Sequence, residues 1–131
     1  MMANHQRQNM RDHLRAVQDI AAAVATKDFG AIEKAASRIG YSEQMGQMCT
    51  HMGAGAPGFT DAALTFHHTA DTIGEAAKKR DADAVLVALN NTLAACAGCH
   101  AKYKQNVVDD ASWASLTHEA APNGPSQEVM K

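Results

Sequence analysis

The chain has 131 residues, of which 46 % are hydrophobic and 20 % charged, so we expect one folded domain rather than a disordered or collagen-like chain. Lys and Arg number 12 against 14 Asp and Glu, and the net charge of -2 with no basic run argues against a nucleic-acid or anionic-membrane binder. No run of about 20 apolar residues stands out, which predicts no membrane span. Aromatic residues make up only 5 % of the chain, so few bulky side chains are present to fill the interior. A bound group is one way to supply the missing volume.

Apolar residues recur at three- and four-residue steps and strand-like alternation is absent, so the chain is predicted to be all-α. The first helix is predicted to carry its core stripe on Met10, Leu14, Val17, Ala21 and Val24. Asp28 is predicted to cap a second helix that runs to a stop at Gly40. Ser42 is predicted to cap a short helix that runs through Met52.

The glycine-rich segment 53–58 is the clearest loop. A long helix with an apolar stripe from Phe59 to Ala77 follows it, and after a break at 80–83 a last helix extends to Val107. The last helix is predicted to carry its stripe on Val85, Leu89, Thr92, Cys96, Cys99 and Tyr103. Four helices of about 20 residues predict an antiparallel up-down four-helix bundle over residues 1–108, with residues 109–131 as a C-terminal tail.

The run Cys96-Ala97-Gly98-Cys99-His100 matches C-x-x-C-H, the attachment sequence of c-type haem. Residues three apart on a helix point to the same side, so both thiols can reach the two vinyl groups on one porphyrin edge. His100 is then predicted to be the proximal iron ligand. A structural zinc site needs a second ligand pair, and a thioredoxin-like motif needs a preceding strand; the sequence offers neither. A plain disulfide between Cys96 and Cys99 is the remaining alternative.

Thioether attachment of haem takes place outside the bacterial cytoplasm, so the motif predicts a periplasmic protein. The N-terminal segment 1–15 is polar and has no apolar signal-peptide core. We therefore expect that a signal peptide has been removed.

A late C-x-x-C-H followed by Tyr103 and Lys104 in an Ala-rich helical chain resembles the class II cytochromes c, the cytochrome c′ and cytochrome c-556 group. The resemblance covers about residues 4–107. Arg7-Gln8 is similar to a pair early in the family's first helix, whereas Lys104 stands where the family often has Arg. The resemblance implies covalent haem c and one-electron transfer between redox partner proteins, without enzymatic turnover. It also allows a homodimer, because the family commonly dimerises through its first two helices.

The resemblance places the distal side of the iron on the first helix. Met10 is predicted to be the distal ligand, which gives six-coordinate, low-spin iron suited to electron transfer. His13 is the rival ligand, and an apolar distal residue would instead leave five-coordinate iron that binds NO or CO, as in cytochrome c′. Leu14 and Val17 are predicted to wall the distal pocket, and Tyr103 is predicted to pack against the porphyrin or the first helix.

A second group of soft donors precedes the loop. It consists of Met45, Met48, Cys49 and Met52, which share one helical face. Such a set suits Cu(I), and it equally suits ordinary core packing, so a copper-binding protein is a more distant alternative. His67 and His68 are predicted to be exposed, because they lie off the apolar stripe of their helix.

Overall fold

A computed structural model describes residues 2–103 and residue 111. It contains five helices in the described part of the chain: α1 (Met2–Ala25), α2 (Phe29–Ser37), α3 (Glu43–Met52), α4 (Phe59–Lys78) and α5 (Ala82–Lys102). No strand occurs among these residues, so the all-α prediction is confirmed. The predicted domain boundary at residue 108 and the predicted helical position of Val107 lie outside the described residues.

Side-chain caps begin three of the helices. Asp28, Ser42 and Asp81 each accept a hydrogen bond from the backbone N–H three residues later, at 3.1, 3.1 and 3.0 Å. Each cap satisfies one of the N–H groups that the first turn of a helix leaves without a partner. The caps at Asp28 and Ser42 are the predicted ones, and Asp81 lies in the predicted break at 80–83.

The predicted break between the second helix and the short helix capped by Ser42 is confirmed, as α2 and α3 are separate, but Gly40 is not the helix stop. α2 ends at Ser37, three residues earlier than predicted. Gly40 lies where α4 comes close, since a Cβ added there would collide with the Asp71 carboxylate. The same carboxylate accepts the Tyr41 N–H at 3.2 Å. Gly40 is therefore required by the close approach of Asp71 rather than by the end of α2.

The buried core is built mainly from Ala and Ile of four helices. Ile20 of α1, Ile32 of α2, Ile73 of α4 and Val85 of α5 are all fully buried within it. α4 packs against α2 and α5, α1 packs against α2 and touches α5 over a short stretch, and α3 packs against α4. Removing this apolar surface from water is the main favourable contribution to folding.

The buried face of α1 is offset from the predicted stripe. Met10 and Leu14 were expected in the core, yet their side chains are 43 % and 69 % exposed. α1 buries Ala16, Ile20 and Ala23 instead. The expectation was wrong because α1 is rotated so that its Ala-rich face meets the core, which leaves the edge with the larger side chains outside.

α5 alone among the described helices is long and apolar enough to cross a membrane, with a mean hydropathy of 1.4 in its most apolar 18-residue window. The expectation that no segment is long and apolar enough to span a membrane was therefore wrong. In the described structure 22 % of this window is buried, and α5 buries Val85, Ala88 and Leu89 in the core.

His67 overturns another expectation, since its side chain is only 3 % exposed. Its Nδ1 lies 2.7 Å from the carbonyl oxygen of Ile39 and donates to it in the matching neutral tautomer. His68 is exposed as predicted, and its ring stacks on that of Tyr41 with 4.4 Å between centroids. His67 lies about one helical turn before the buried Ala70. The buried face of α4 therefore includes His67 as well as the apolar residues of the predicted stripe.

His13 meets His67 inside the bundle. Its ring centroid lies 5.4 Å from that of His67 and 5.2 Å from that of Phe66. Burial, together with the neighbouring His67, lowers the pKa of His13 to about 4, and burial also lowers the pKa of His67. Both rings are therefore neutral in the folded protein at neutral pH.

The two neutral histidines predict a loss of stability in acid. Above their ordinary pKa of 6.5 both rings are neutral in the folded and unfolded chains. As the pH falls from 6.5 towards 4, the unfolded chain takes up protons that the folded one resists, so the free energy of unfolding decreases, by on the order of 1–3 kcal/mol. Denaturant unfolding at a series of pH values measures this slope.

The double variant His13→Gln/His67→Gln should flatten that part of the slope. His68→Gln, which alters an exposed ring, should keep the slope of the unaltered protein. Equal slopes in all three proteins would show that the buried pair does not titrate as described.

Candidate functional site

The last two turns of α5 carry the thiols and the imidazole of the C-x-x-C-H run. Cys96 packs partly against the core, Cys99 is half-buried and His100 is exposed. Both cysteines are free thiols. Burial raises the pKa of each thiol, and the proximity of Cys99 raises that of Cys96 further, so both are held in the neutral S–H form.

The contacts of α5 with α4 show which way His100 faces. An open groove between the two helices is lined from α5 by Asn91, Ala94 and Ala95. Asn91 and His100 are nine residues apart, which is about 180° around a helix axis. His100 therefore lies on the side of α5 opposite this groove. Leu93 and Leu86 precede it by one and two heptads and lie close to the same line.

An ion pair orients α1 in the same way. The Asp19 carboxylate lies 2.6 Å from the guanidinium of Arg38 at the end of α2, so this edge of α1 faces α2. Met10 is nine residues before Asp19 and lies about 180° around the axis from it. α5 is the other helix whose backbone α1 approaches, while the side chains of Asn9 and His13 reach α3 and α4. By helix pitch, the edge that carries Met10 and Leu14 lies away from α2, on the side of α1 where α5 packs.

Polar contacts then bring the two edges to one end of the molecule. The Asn9 amide donates to the Met48 sulfur on α3 at 3.3 Å, and the Thr60 hydroxyl at the start of α4 donates to the Cys49 carbonyl at 3.5 Å. The Tyr103 hydroxyl at the end of α5 donates to the carbonyl of Pro57, just before α4, at 2.7 Å. The first part of α1, all of α3, the start of α4 and the end of α5 thus meet.

Large apolar side chains remain exposed along both edges of this α1–α5 boundary. They are Met10 and Leu14 on α1 and Leu86 and Leu93 on α5. The motif contributes two thiols and one imidazole, and Met10 contributes a thioether, the donor set of a Met/His c-type cytochrome. By the chemistry of this donor set the residues fit a covalently bound haem, with Cys96, Cys99, His100 and Met10 as the groups that would hold it.

The other predicted pocket residues are Val17, His13 and Tyr103, and they differ in burial and in the helices that they contact. Val17 is partly buried against the core. His13 directs its ring towards Phe66 and His67 of α4, on the interior side of the Met10 edge. Tyr103 lies at the start of α4 rather than against α1.

The soft-donor cluster on α3 is more buried than the motif. Cys49 is 1 % exposed and burial raises its pKa, while Met45, Met48 and Met52 are half-buried. No group of three or more His, Cys, Asp or Glu side chains in the described part of the chain could hold a metal ion. The Cu(I) alternative thus depends on thioethers as its main donors, and it stays a prediction.

No family model, curated protein or solved structure matches this chain. Sequence reasoning missed Asn9 and Pro57, which contact Met48 and Tyr103. Pro57-Gly58 is a recognisable turn signal, but its spacing does not reveal which distant side chain binds its carbonyl.

The three thiols should differ in reactivity in the folded, haem-free chain. Cys96 and Cys99 are partly exposed, whereas alkylation of Cys49 requires local opening, so Cys49 should react at least about tenfold more slowly. Timed iodoacetamide labelling followed by peptide mass analysis measures the three rates. In denaturant the rates should converge, and a Cys49 that reacts as fast as Cys99 in the folded chain would contradict the burial.

Proposed function

We propose that the protein is a periplasmic monohaem c-type cytochrome of class II that passes single electrons between redox partner proteins. The C-x-x-C-H run at the end of α5 carries the proposal, and the helix contacts support it, since the start of α1 and the end of α5 are at the same end of the molecule. Met10 of α1 and Leu93 of α5 are both exposed. A planar apolar group bound there would cover side chains that the helices leave in water.

Attachment needs only the two thiols of the motif. Cys96 and Cys99 would hold the group by addition of each Sγ–H across a vinyl double bond, with sulfur bonded to one carbon and the hydrogen to the other. No atom would leave and no net oxidation would occur. The partial exposure of Cys96 and Cys99 supports this chemistry, because both sulfurs can be reached from one side of α5.

The helix contacts support an antiparallel four-helix bundle for this protein. The bundle would consist of α1, α2, α4 and α5, since each contacts the next and α5 contacts α1. The short helix α3 packs beside α4 and follows α2 in the chain. Chain neighbours are thus also neighbours in space, as in an up-down bundle. The meeting of the start of α1 with the end of α5 fits antiparallel directions for these two helices.

Met10 is the stronger candidate for the distal ligand. Its side chain is on the edge towards α5, whereas the ring of His13 packs among Phe66 and His67. When bound, haem c supplies the one-electron iron couple, and the chain supplies ligands and burial. A thioether favours reduced iron, so Met10 would raise the reduction potential relative to a second imidazole.

The attachment itself is tested by producing the chain with an export signal in a bacterium that matures c-type cytochromes. We expect a coloured protein whose mass exceeds that of the polypeptide by one intact haem. Cys96→Ser/Cys99→Ser is expected to be colourless after denaturing extraction, while Cys49→Ser keeps the covalent haem. An exported chain with the mass of the polypeptide less two hydrogens would instead identify the plain disulfide.

Met10→Ala should convert a low-spin spectrum to a high-spin one that changes on addition of CO, because the iron loses its sixth ligand. The control Met45→Ala shortens a half-buried methionine on α3 and should remain low-spin. Absorption spectra of the oxidised and reduced proteins measure the outcome. A low-spin Met10→Ala would remove Met10 from consideration and implicate His13, and a high-spin unaltered protein would support the gas-binding alternative.

A further inference from the structure

The contact between Tyr103 and the loop before α4 lies at the end of α5, one turn beyond His100. Tyr103 is held by two hydrogen bonds: its N–H donates to the Cys99 carbonyl at 2.8 Å and its hydroxyl donates to the Pro57 carbonyl at 2.7 Å. Its ring also meets that of Phe59 edge-to-face, with 5.3 Å between centroids. One residue thus joins the last turn of α5 to the loop and to the start of α4.

Gly58 makes this contact possible from the other side. It has φ of 81°, a backbone conformation that side chains disfavour, and a Cβ built there would lie 2.7 Å from the Tyr103 hydroxyl oxygen. A side chain at residue 58 would therefore require the phenol to shift, in addition to straining the backbone at this φ.

The end of a helix is where such an anchor has its largest effect. The last carbonyls of a helix have no partner within it, and the terminal turn frays unless something holds it. His100 lies in that terminal turn. Because α5 ends at Lys102, the Tyr103 contacts determine how firmly the backbone of His100 is held.

We propose that Tyr103, clamped between the Pro57 carbonyl and the end of α5, is a positioning residue that orients the His100 imidazole towards the iron. The proposal rests on the proposed function, in which His100 is the proximal ligand. Tyr103 acts through the backbone of the last turn and through the 53–58 loop. Gly58 acts with it, since a side chain at this position would push the phenol out.

The test compares Tyr103→Phe with Tyr41→Phe in the haem-bound protein. These are the two tyrosines of the chain, and Tyr41 stacks on His68 away from the end of α5. Proton NMR of the oxidised protein gives the paramagnetic shifts of the haem methyl groups, which depend on the orientation of the axial imidazole plane. Amide hydrogen exchange reports the opening of the last turn of α5.

We expect Tyr103→Phe to keep covalent haem but to redistribute the haem-methyl shifts. It should also speed exchange of the Tyr103-position amide by about fivefold to tenfold, the effect of losing one hydrogen bond. Gly58→Ala, which displaces the Tyr103 hydroxyl, should also redistribute the haem-methyl shifts and speed exchange of the Tyr103 amide. Tyr41→Phe should leave both unchanged.

Faster exchange with unaltered methyl shifts in Tyr103→Phe and Gly58→Ala would show that the contact stabilises the turn without orienting His100, and would overturn the proposal. Unaltered exchange and shifts would overturn it as well. An exported protein without covalent haem would overturn the proposed function together with this inference, whereas the first two outcomes leave the proposed function standing.

Discussion

The spacing of α1 and α5 is the constraint on which the proposed site depends. Elsewhere in the core, alanines at contact positions such as Ala36, Ala70 and Ala77 let neighbouring helices approach closely. α1 and α5 touch only over a short stretch, and Met10 on one and Leu93 on the other stay exposed. Apolar surface of both helices therefore stays in water. A bound group that covers it contributes roughly 25 cal/mol for each Å² removed from solvent.

The histidines show how strongly location decides the chemistry of one residue type. His67 is neutral, buried and bonded to a backbone carbonyl, while His68, its neighbour in sequence, is stacked on an exposed tyrosine ring. His13 is kept neutral by burial and by His67. The interior beside the Met10 edge therefore carries polar rings but no net charge. His100 is exposed like His68, but it lies in the last turn of a helix.

The division of α2 from α3 organises the end of the molecule that holds the motif. The chain turns at Gly40, where the Asp71 carboxylate excludes a side chain and holds the Tyr41 N–H. α3 then runs beside α4 and contacts α1 through Met48. One short helix thus links the start of α1 with the start of α4, and the loop after α3 receives Tyr103. A continuous helix in this position could not make all of these contacts.

The sequence by itself determined what depends on near neighbours: the helical class, the caps at Asp28 and Ser42, the loop at 53–58 and the spacing of the motif. These features follow from backbone hydrogen bonding and side-chain pitch within a few residues. The tertiary structure decided that Met10 is exposed, that His67 is buried and that Tyr103 binds Pro57. Periodicity identifies residues that share a face, but the rotation of each helix about its axis is set by packing against its neighbours.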